Sequence, residues 1–155
     1  MDKLSKCVLN DLYIYQKTNN IRNECFSLVL VYADVINTYV DSYAKPISGV
    51  VHWCDNQNNH YFTSHCWVIQ NNKIIDPSYD VKSVEYKKTY YKSVKKLFEM
   101  FDIETDKKKK IITQVVNFNK SLDDAMKNTN TTTEQYKKAL PCVCKYYPNN
   151  SMIIN

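Results

Sequence analysis

Only one of the 155 residues in this chain is a glycine, and that residue is Gly49. Glycine is the residue that adopts positive φ angles and permits close backbone contacts without a steric cost. The chain therefore has no glycine-rich loop to hold the phosphates of a nucleotide, which excludes the nucleotide-binding folds that need one. Its tight turns must use another residue, and we expect the abundant asparagines to take them because Asn tolerates positive φ.

The length and composition indicate a globular protein with a single domain, residues 1–155. A chain of 155 residues buries roughly two-thirds of its unfolded surface, and 44% of the residues are hydrophobic. The net charge is +5, but the basic residues are scattered apart from a lysine run within 106–112, and there is one arginine. Nucleic-acid surfaces more often interleave arginine with aromatic residues. We therefore interpret the run as a solvated helix face and expect no nucleic-acid partner.

The sequence also predicts an intracellular protein that is neither secreted nor bound to a membrane. Its first residues lack the basic and apolar regions of a signal peptide. The longest apolar run, residues 26–36, is too short to span a bilayer and contains Asp34. The six cysteines are too sparse for a small disulfide scaffold, so we expect reduced thiols.

The frequent Asn, Lys, Ile and Tyr residues are typical of proteins from an AT-rich genome, such as that of a large DNA virus, a phage or a low-GC bacterium. If the protein is viral, we expect it in the host cytoplasm or in the virion.

The pattern of apolar residues predicts helices in both halves of the chain and a small antiparallel sheet between them. The predicted helices span residues 3–16, about 23–36, 89–101, 105–127 with Thr105 as the N-cap, and a short segment from Thr131 or Thr132 to Pro141. The predicted strands span residues 38–44, ended by Lys45-Pro46, then 49–55, and a hairpin within 64–80. The helix at 23–36 is apolar on nearly every face, so we expect it to be buried against a sheet of three to five strands. This order predicts an α+β domain with a core at about 19–80 and a helical C-terminal part at about 89–140.

The predicted hairpin, SHCWVIQNNKIIDPSYD at 64–80, brings a histidine and an aspartate together. Its two short apolar strands meet at Asn71-Asn72, a typical two-residue turn. With that turn Trp67 faces Asp76, and His65 lies diagonally near Asp76 on one face. A carboxylate that accepts a hydrogen bond from one imidazole nitrogen fixes the tautomer and leaves the other nitrogen free to take a proton from a nucleophile.

Cys25 is the thiol best placed to be that nucleophile. It lies in the first turn of the predicted buried helix. The N–H groups and the dipole of a helix N-terminus favour the thiolate form of a cysteine. The same N–H groups can help to stabilise an oxyanion.

Four segments of the chain together resemble the core of transglutaminase-like and papain-like cysteine enzymes. They are NECFSLVLVYADVI, YVDSYA, HCWVI and KIIDPSYD. Those families place a Cys at the start of a core helix, a His at the start of one strand and an Asp or Asn on the next. The resemblance covers about residues 19–80 and implies that Cys25 is the nucleophile, His65 the general base and Asp76 its orienting partner. It implies a hydrolase or acyltransferase that acts on an amide, peptide or thioester bond of a protein or peptide-like substrate.

The resemblance also implies residues that would contact the substrate. Asn19 stands six residues before Cys25, where papain-like enzymes carry an oxyanion-stabilising Gln, so its amide would serve that role. Three aromatic residues near the expected site are candidates for a substrate groove: Trp53, Tyr61 and Trp67, the last also a candidate for the core. We expect the groove walls to come from residues 18–23, 45–49 and 55–63.

Two other interpretations stay open. A catalytically silent binding module on the same fold would contain the same residues. A zinc site is the other, because residues 52–66 contain five soft or borderline ligands: His52, Cys54, His60, His65 and Cys66. However, His65 and Cys66 point to opposite faces of a strand and no C-x-x-C spacing occurs, so we expect no zinc and no other cofactor. The substrate, the choice between hydrolysis and transamidation, and the oligomeric state are left undetermined by the sequence.

Overall fold

Five helices and four strands are found in the part of the chain that the computed structural model describes, residues 1–40 and 42–127. The helices are α1 (Lys3–Thr18), α2 (Cys25–Tyr39), α3 (Tyr79–Lys82), α4 (Val94–Met100) and α5 (Thr105–Met126). The strands are β1 (Ala44–Cys54), β2 (His60–Gln70), β3 (Lys73–Ile75) and β4 (Lys88–Tyr91). They form one antiparallel sheet in the order β3-β2-β1-β4. The predicted α+β architecture and the predicted number of strands are confirmed.

Helix α2 is the buried helix that its apolar sequence predicts. Eight of its fifteen residues are buried, including the run from Leu28 to Ala33. Helices α1 and α5 and strands β1 and β2 pack around it. The apolar residues of α1 and of α5 that recur every three or four positions, such as Val8, Leu12 and Leu122, join the same core cluster. This packing fixes the start of α2, and hence Cys25, against the sheet.

Strand β1 is longer than the sequence predicts, and the strand predicted at 38–44 is wrong. Thr38 and Tyr39 belong to the last turn of α2, and β1 continues through Pro46. Proline has no N–H to donate, so it is tolerated in a strand only where that group would not join the ladder. Pro46 lies in the half of β1 that pairs with β2 alone, since β4 pairs only with Val50–Trp53.

Asparagine takes the turn positions, as predicted. Within residues 1–40 and 42–127, the five residues with positive φ are all asparagines: Asn20, Asn23, Asn58, Asn71 and Asn72. The last two form the β2–β3 turn, and the observed register pairs Val68 with Ile75 and Gln70 with Lys73, as the hairpin predicts.

Gly49 serves a close approach and has no positive φ. A Cβ at this position would lie 2.2 Å from the carbonyl oxygen of Tyr91 and 2.5 Å from the Trp67 ring. The single glycine of the chain is therefore required where β1 passes between β4 and a buried tryptophan.

The helix predicted at 89–101 is wrong in its first part. Lys88–Tyr91 forms β4, whose Tyr-rich sequence suits a strand that packs on β1. The helix begins only after Ser93, whose side chain caps it by accepting a hydrogen bond from Lys96 N. The helix predicted at 105–127 is confirmed as α5, although Glu104 and not Thr105 is its N-cap. The helix predicted between Thr131 and Pro141 lies outside the described residues.

None of the helices within residues 1–40 and 42–127 combines the length and the apolar character that a membrane span requires.

Candidate active site

Cys25 is the first residue of α2 and is partly buried. The N-cap residue, Glu24, makes no side-chain hydrogen bond to the helix. The N–H groups of the first turn have no acceptor within a helix, and the positive end of the helix dipole lies there. The thiol therefore sits where a negative charge is stabilised.

His65 and Asp76 form a buried pair. His65 Nε2 lies 2.9 Å from Asp76 Oδ2, and the two residues are 3% and 6% exposed. The hydroxyl of Tyr90 donates to the same Asp76 oxygen at 2.6 Å, while Ser78 N donates to the other carboxylate oxygen at 2.9 Å. These bonds orient the carboxylate, and they leave Nδ1 as the imidazole nitrogen that can serve Cys25.

Helix α1 holds the segment that carries Asp76. The hydroxyl of Tyr13 donates to the backbone carbonyl of Asp76. Gln16 is buried, and its amide donates to Pro77 O at 2.6 Å and accepts from Tyr79 N at 2.8 Å. A buried amide whose donor and acceptor are both used fixes the backbone that it bonds. Asp76 is therefore positioned by the N-terminal helix α1 as well as by the hairpin.

The Cys25 thiol lies close enough to His65 and Cys66 for both side chains to shift its pKa. The pKa of Cys25 is lowered to about 5, chiefly by the hydrogen bond from Cys66; burial opposes this change, and the hydrogen bond and positive charge of His65 add to it. The pKa of His65 is raised to about 10, because the hydrogen bonds and negative charges of Asp76 and Cys25 outweigh the effect of burial, which lowers it. The hydrogen bond with Cys25 and burial raise the pKa of the Cys66 thiol. Both shifts favour a Cys25 thiolate beside a His65 imidazolium at neutral pH.

A cavity of about 890 Å³ opens onto Cys25 and His65. We call it the thiol groove. It is lined by Asn23 before α2, by Trp53 of β1, by Phe62 and Thr63 of β2, and by one face of α5. The expected walls are thus present at 18–23 and 55–63, whereas no residue from 45–49 lines the groove.

Three of the residues expected to contact a substrate lie elsewhere. Asn19 does not line the thiol groove; it is the C-cap of α1, and its amide donates to Tyr15 O at 2.9 Å. Trp67 is 1% exposed and packs edge-on against Tyr90, so it belongs to the core. Tyr61 is exposed and stacks on the ring of Trp53 outside the groove lining. Trp53 alone of the aromatic candidates lines the groove.

Several residues of the site escape sequence reasoning. Tyr90 falls in a segment that the sequence assigns to a helix, although its position beside a second tyrosine in a β-prone run was a signal for a strand. Cys66 follows His65 directly, but its contact with Cys25 depends on how α2 packs on β2. Helix α5 lines the groove only because the chain folds back on itself, which brings α5 next to β2 although about forty residues separate them in sequence. No pattern in the sequence predicts this contact.

The five residues considered as zinc ligands do not come together as one site. His52 Nε2 lies 2.8 Å from His60 Nδ1 with the two rings stacked, and Cys54 Sγ is 4.0 Å from the other nitrogen of His60. His65 and Cys66 are engaged with Cys25 instead. Within the described residues no group of three or more His, Cys, Asp and Glu side chains is arranged to hold a metal ion.

Neither protein-family models, nor curated proteins, nor solved structures give a match to this chain. The site is therefore interpreted from its own geometry.

Proposed function

We propose that this protein is a cysteine-dependent acyl-transfer enzyme with a transglutaminase-like or papain-like core. Cys25 is the nucleophile, His65 the general acid and base, and Asp76 the residue that orients His65. One observation carries the proposal: a thiol at a helix N-terminus lines the same cavity as a buried histidine whose Nε2 is bonded to a carboxylate. A nucleophile, a base and an orienting group in this order are the elements of nucleophilic catalysis.

The reaction begins when the Cys25 thiolate attacks the carbonyl carbon of an amide, ester or thioester. The carbonyl electron pair moves to oxygen, which becomes an oxyanion. His65 donates its Nδ1 proton to the leaving amine, alcohol or thiol as the bond to carbon breaks. The acyl group is then bonded to Cys25, and the imidazole is neutral.

In the second step a water molecule or an amine attacks the acyl-enzyme. His65 takes a proton from the attacking group at Nδ1 and the thiolate leaves, which restores the starting ion pair. Water gives hydrolysis, and an amine gives transamidation. Asp76 keeps the imidazole ring in one orientation throughout, because its carboxylate stays bonded to Nε2.

The oxyanion is assigned to the N–H groups at the start of α2. These donors have no acceptor within the helix, and they lie beside the sulfur that attacks. Asn23 lines the thiol groove two residues before Cys25, so its side-chain amide replaces Asn19 as the second donor in this assignment.

Formation of an acyl-enzyme tests the function directly. The protein is mixed with an activated acyl donor, p-nitrophenyl acetate, and with a panel of peptide thioesters, and its intact mass is followed with time. We expect the mass of one acyl group on Cys25, no adduct in Cys25→Ala, and acylation about 10²–10⁴-fold slower in His65→Ala. Cys54→Ala is the matched control and should behave as the unchanged protein.

Acylation that survives in Cys25→Ala, or that is spread equally over the free cysteines, would overturn the proposal. If Cys25→Ala also kept full biological activity, a binding module without catalysis would replace the enzyme.

A further inference from the structure

The thiol groove has a charged wall that the proposed chemistry does not use. Four residues of α5 that line it, Lys107, Lys110, Gln114 and Phe118, are spaced three and four positions apart and therefore share one helix face. The neighbouring lysine at position 109 does not line the groove, and the Lys108 ammonium lies over the Phe98 ring, 5.5 Å from its centroid. The lysine run is thus divided between the groove and other surfaces of the helix.

Two contacts join the groove face of α5 to the strand that carries His65. The Lys107 ammonium lies over the Phe62 ring, 5.4 Å from its centroid, and Phe62 is three residues before His65 on β2. Ser64, the residue next to His65, donates from its hydroxyl to Gln114 Oε1 at 2.9 Å. These two contacts join the charged helix face to the strand that carries the imidazole.

Within the described residues, no carboxylate of the groove forms an ion pair with these lysines. Asp80 accepts hydrogen bonds from Asn23 N at 3.2 Å and Val81 N at 2.9 Å. Asp106 lies in the first turn of α5, where the helix dipole stabilises an acidic side chain. Within residues 1–40 and 42–127 neither Lys107 nor Lys110 is in an ion pair with a carboxylate. Both ammonium groups are therefore available to a bound molecule.

We propose that the thiol groove selects acidic peptides, whose carboxylates bind Lys107 and Lys110 while a backbone carbonyl lies at Cys25. The aromatic walls at Trp53 and Phe118 contact the apolar part of such a peptide. The proposal rests on the proposed function for the reaction at the carbonyl. The charge preference itself is a property of the groove and does not require turnover.

Two peptide probes with the same reactive group measure this preference. They are bromoacetyl-Glu-Leu-Glu amide and its neutral counterpart, bromoacetyl-Gln-Leu-Gln amide. In each case the Cys25 thiolate displaces bromide and forms a thioether, so acyl transfer is not involved. The rate of labelling at Cys25 is measured by peptide mapping at low ionic strength and divided by the rate with iodoacetamide.

We expect the acidic probe to react roughly tenfold faster than the neutral probe at low salt, and the ratio to fall towards one in molar salt. The ratio should also fall towards one in the double variant Lys107→Gln, Lys110→Gln. The control Lys109→Gln removes one charge of the run, against two in the double variant, without touching the groove and should keep the preference.

Equal rates for the two probes would overturn the proposal, and so would a preference lost equally in Lys109→Gln. Iodoacetamide labelling of Cys25 without any labelling by the peptides would mean that the groove does not admit a peptide. A Cys25 that does not react even with iodoacetamide would mean that the groove does not open onto the thiol. The charge preference is measured without acyl-enzyme formation, so its failure leaves the proposed function standing, whereas a Cys25 that is inert to iodoacetamide would count against both.

Discussion

At the scale of single residues, Cys66 decides where the negative charge of two neighbouring thiols resides. Both cysteines are buried or partly buried, and their interaction lowers the pKa of Cys25 and raises the pKa of Cys66. Cys25 has a helix N-terminus and His65 beside it, whereas Cys66 lies within a strand with no cation of its own. The donated Cys66 proton is therefore part of what keeps Cys25 a thiolate.

The substitutions Cys66→Ala and Cys66→Ser separate the donor from the volume of the side chain. Alanine removes the hydrogen bond that contributes most to the low pKa of Cys25, so this pKa should rise by about 1–3 units. Serine keeps a donor, so we expect a smaller rise. The ultraviolet absorbance of the thiolate as a function of pH gives both values. An unchanged Cys25 titration in Cys66→Ala would show that the Cys66 donor has no part in the charge.

The carboxylate of Asp76 is predicted to support the positive charge of His65. In Asp76→Asn the amide keeps the shape of the side chain but loses its charge, so the pKa of His65 should fall from about 10 by about 1–3 units. The imidazolium would then be lost at a lower pH than in the unchanged protein. A pH titration of the His65 ring signals by nuclear magnetic resonance measures this. A His65 pKa that stays near 10 would mean that Cys25 alone holds the proton on the ring.

At the scale of elements, α5 completes the edge of the sheet. The Asn119 amide accepts from Ser48 N at 2.9 Å and donates to Ser48 O at 3.2 Å, at a point of β1 that β4 does not reach. One helix side chain thus continues the ladder beyond the end of β4. The same helix brings its lysine face to the thiol groove, so docking of α5 and the shape of the groove depend on each other.

Asn119→Ala should therefore destabilise the protein more than a surface change does. Two backbone groups of Ser48 lose their partner, which costs about 1–3 kcal/mol for each buried group left unsatisfied and less if water replaces it. The free energy of unfolding from urea denaturation measures the loss. Lys120→Ala, at the next and exposed position, is the control and should stay within about 0.5 kcal/mol. Equal values for both variants would exclude a structural role for the Asn119 bonds.

How much of these elements the sequence could predict depends on the range of the interactions that form them. The burial of helix α2 was predictable because a helix that is apolar on nearly every face must be buried. The hairpin register was predictable because a two-residue asparagine turn sets it. The strand through Pro46 and the strand at Lys88–Tyr91 were not, since each is a strand only because of its neighbours in the sheet.

At the scale of the whole molecule, the site is assembled from distant parts of the chain. Cys25 comes from α2, His65 from β2, and Asp76 from the segment after β3, which α1 also holds. The sequence could propose these three residues because their spacing follows from a helix start and one hairpin. It could not locate Tyr90 or the groove face of α5, which come to the site only through packing of the complete sheet.

Gly49 links this packing to the site, since it pairs with His65 across β1 and β2. In Gly49→Ala the new methyl group would overlap the Tyr91 carbonyl and the Trp67 ring, so β4 or the tryptophan must move. We expect a loss of about 1–3 kcal/mol or more in the free energy of unfolding, together with slower labelling of Cys25. Thr89→Ala, an exposed change on β4, is the control for both measurements. Full stability and full thiol reactivity in Gly49→Ala would contradict the close packing described for β1.

The proposed chemistry requires Cys25 and His65 to form a thiolate–imidazolium pair, and the pH dependence of Cys25 alkylation shows whether they do. The rate with iodoacetamide, assigned to Cys25 by peptide mapping, is measured from about pH 4 to pH 11 beside N-acetylcysteine as a free thiol. The pKa of about 5 for Cys25 predicts a rise in rate through that pH, followed by a plateau up to the pKa of His65 at about 10. In His65→Ala the rise should move towards that of the free thiol, because the neighbouring positive charge is gone. A single rise at the same pH as the free thiol, unaffected by His65→Ala, would contradict the ion pair and with it the proposed chemistry.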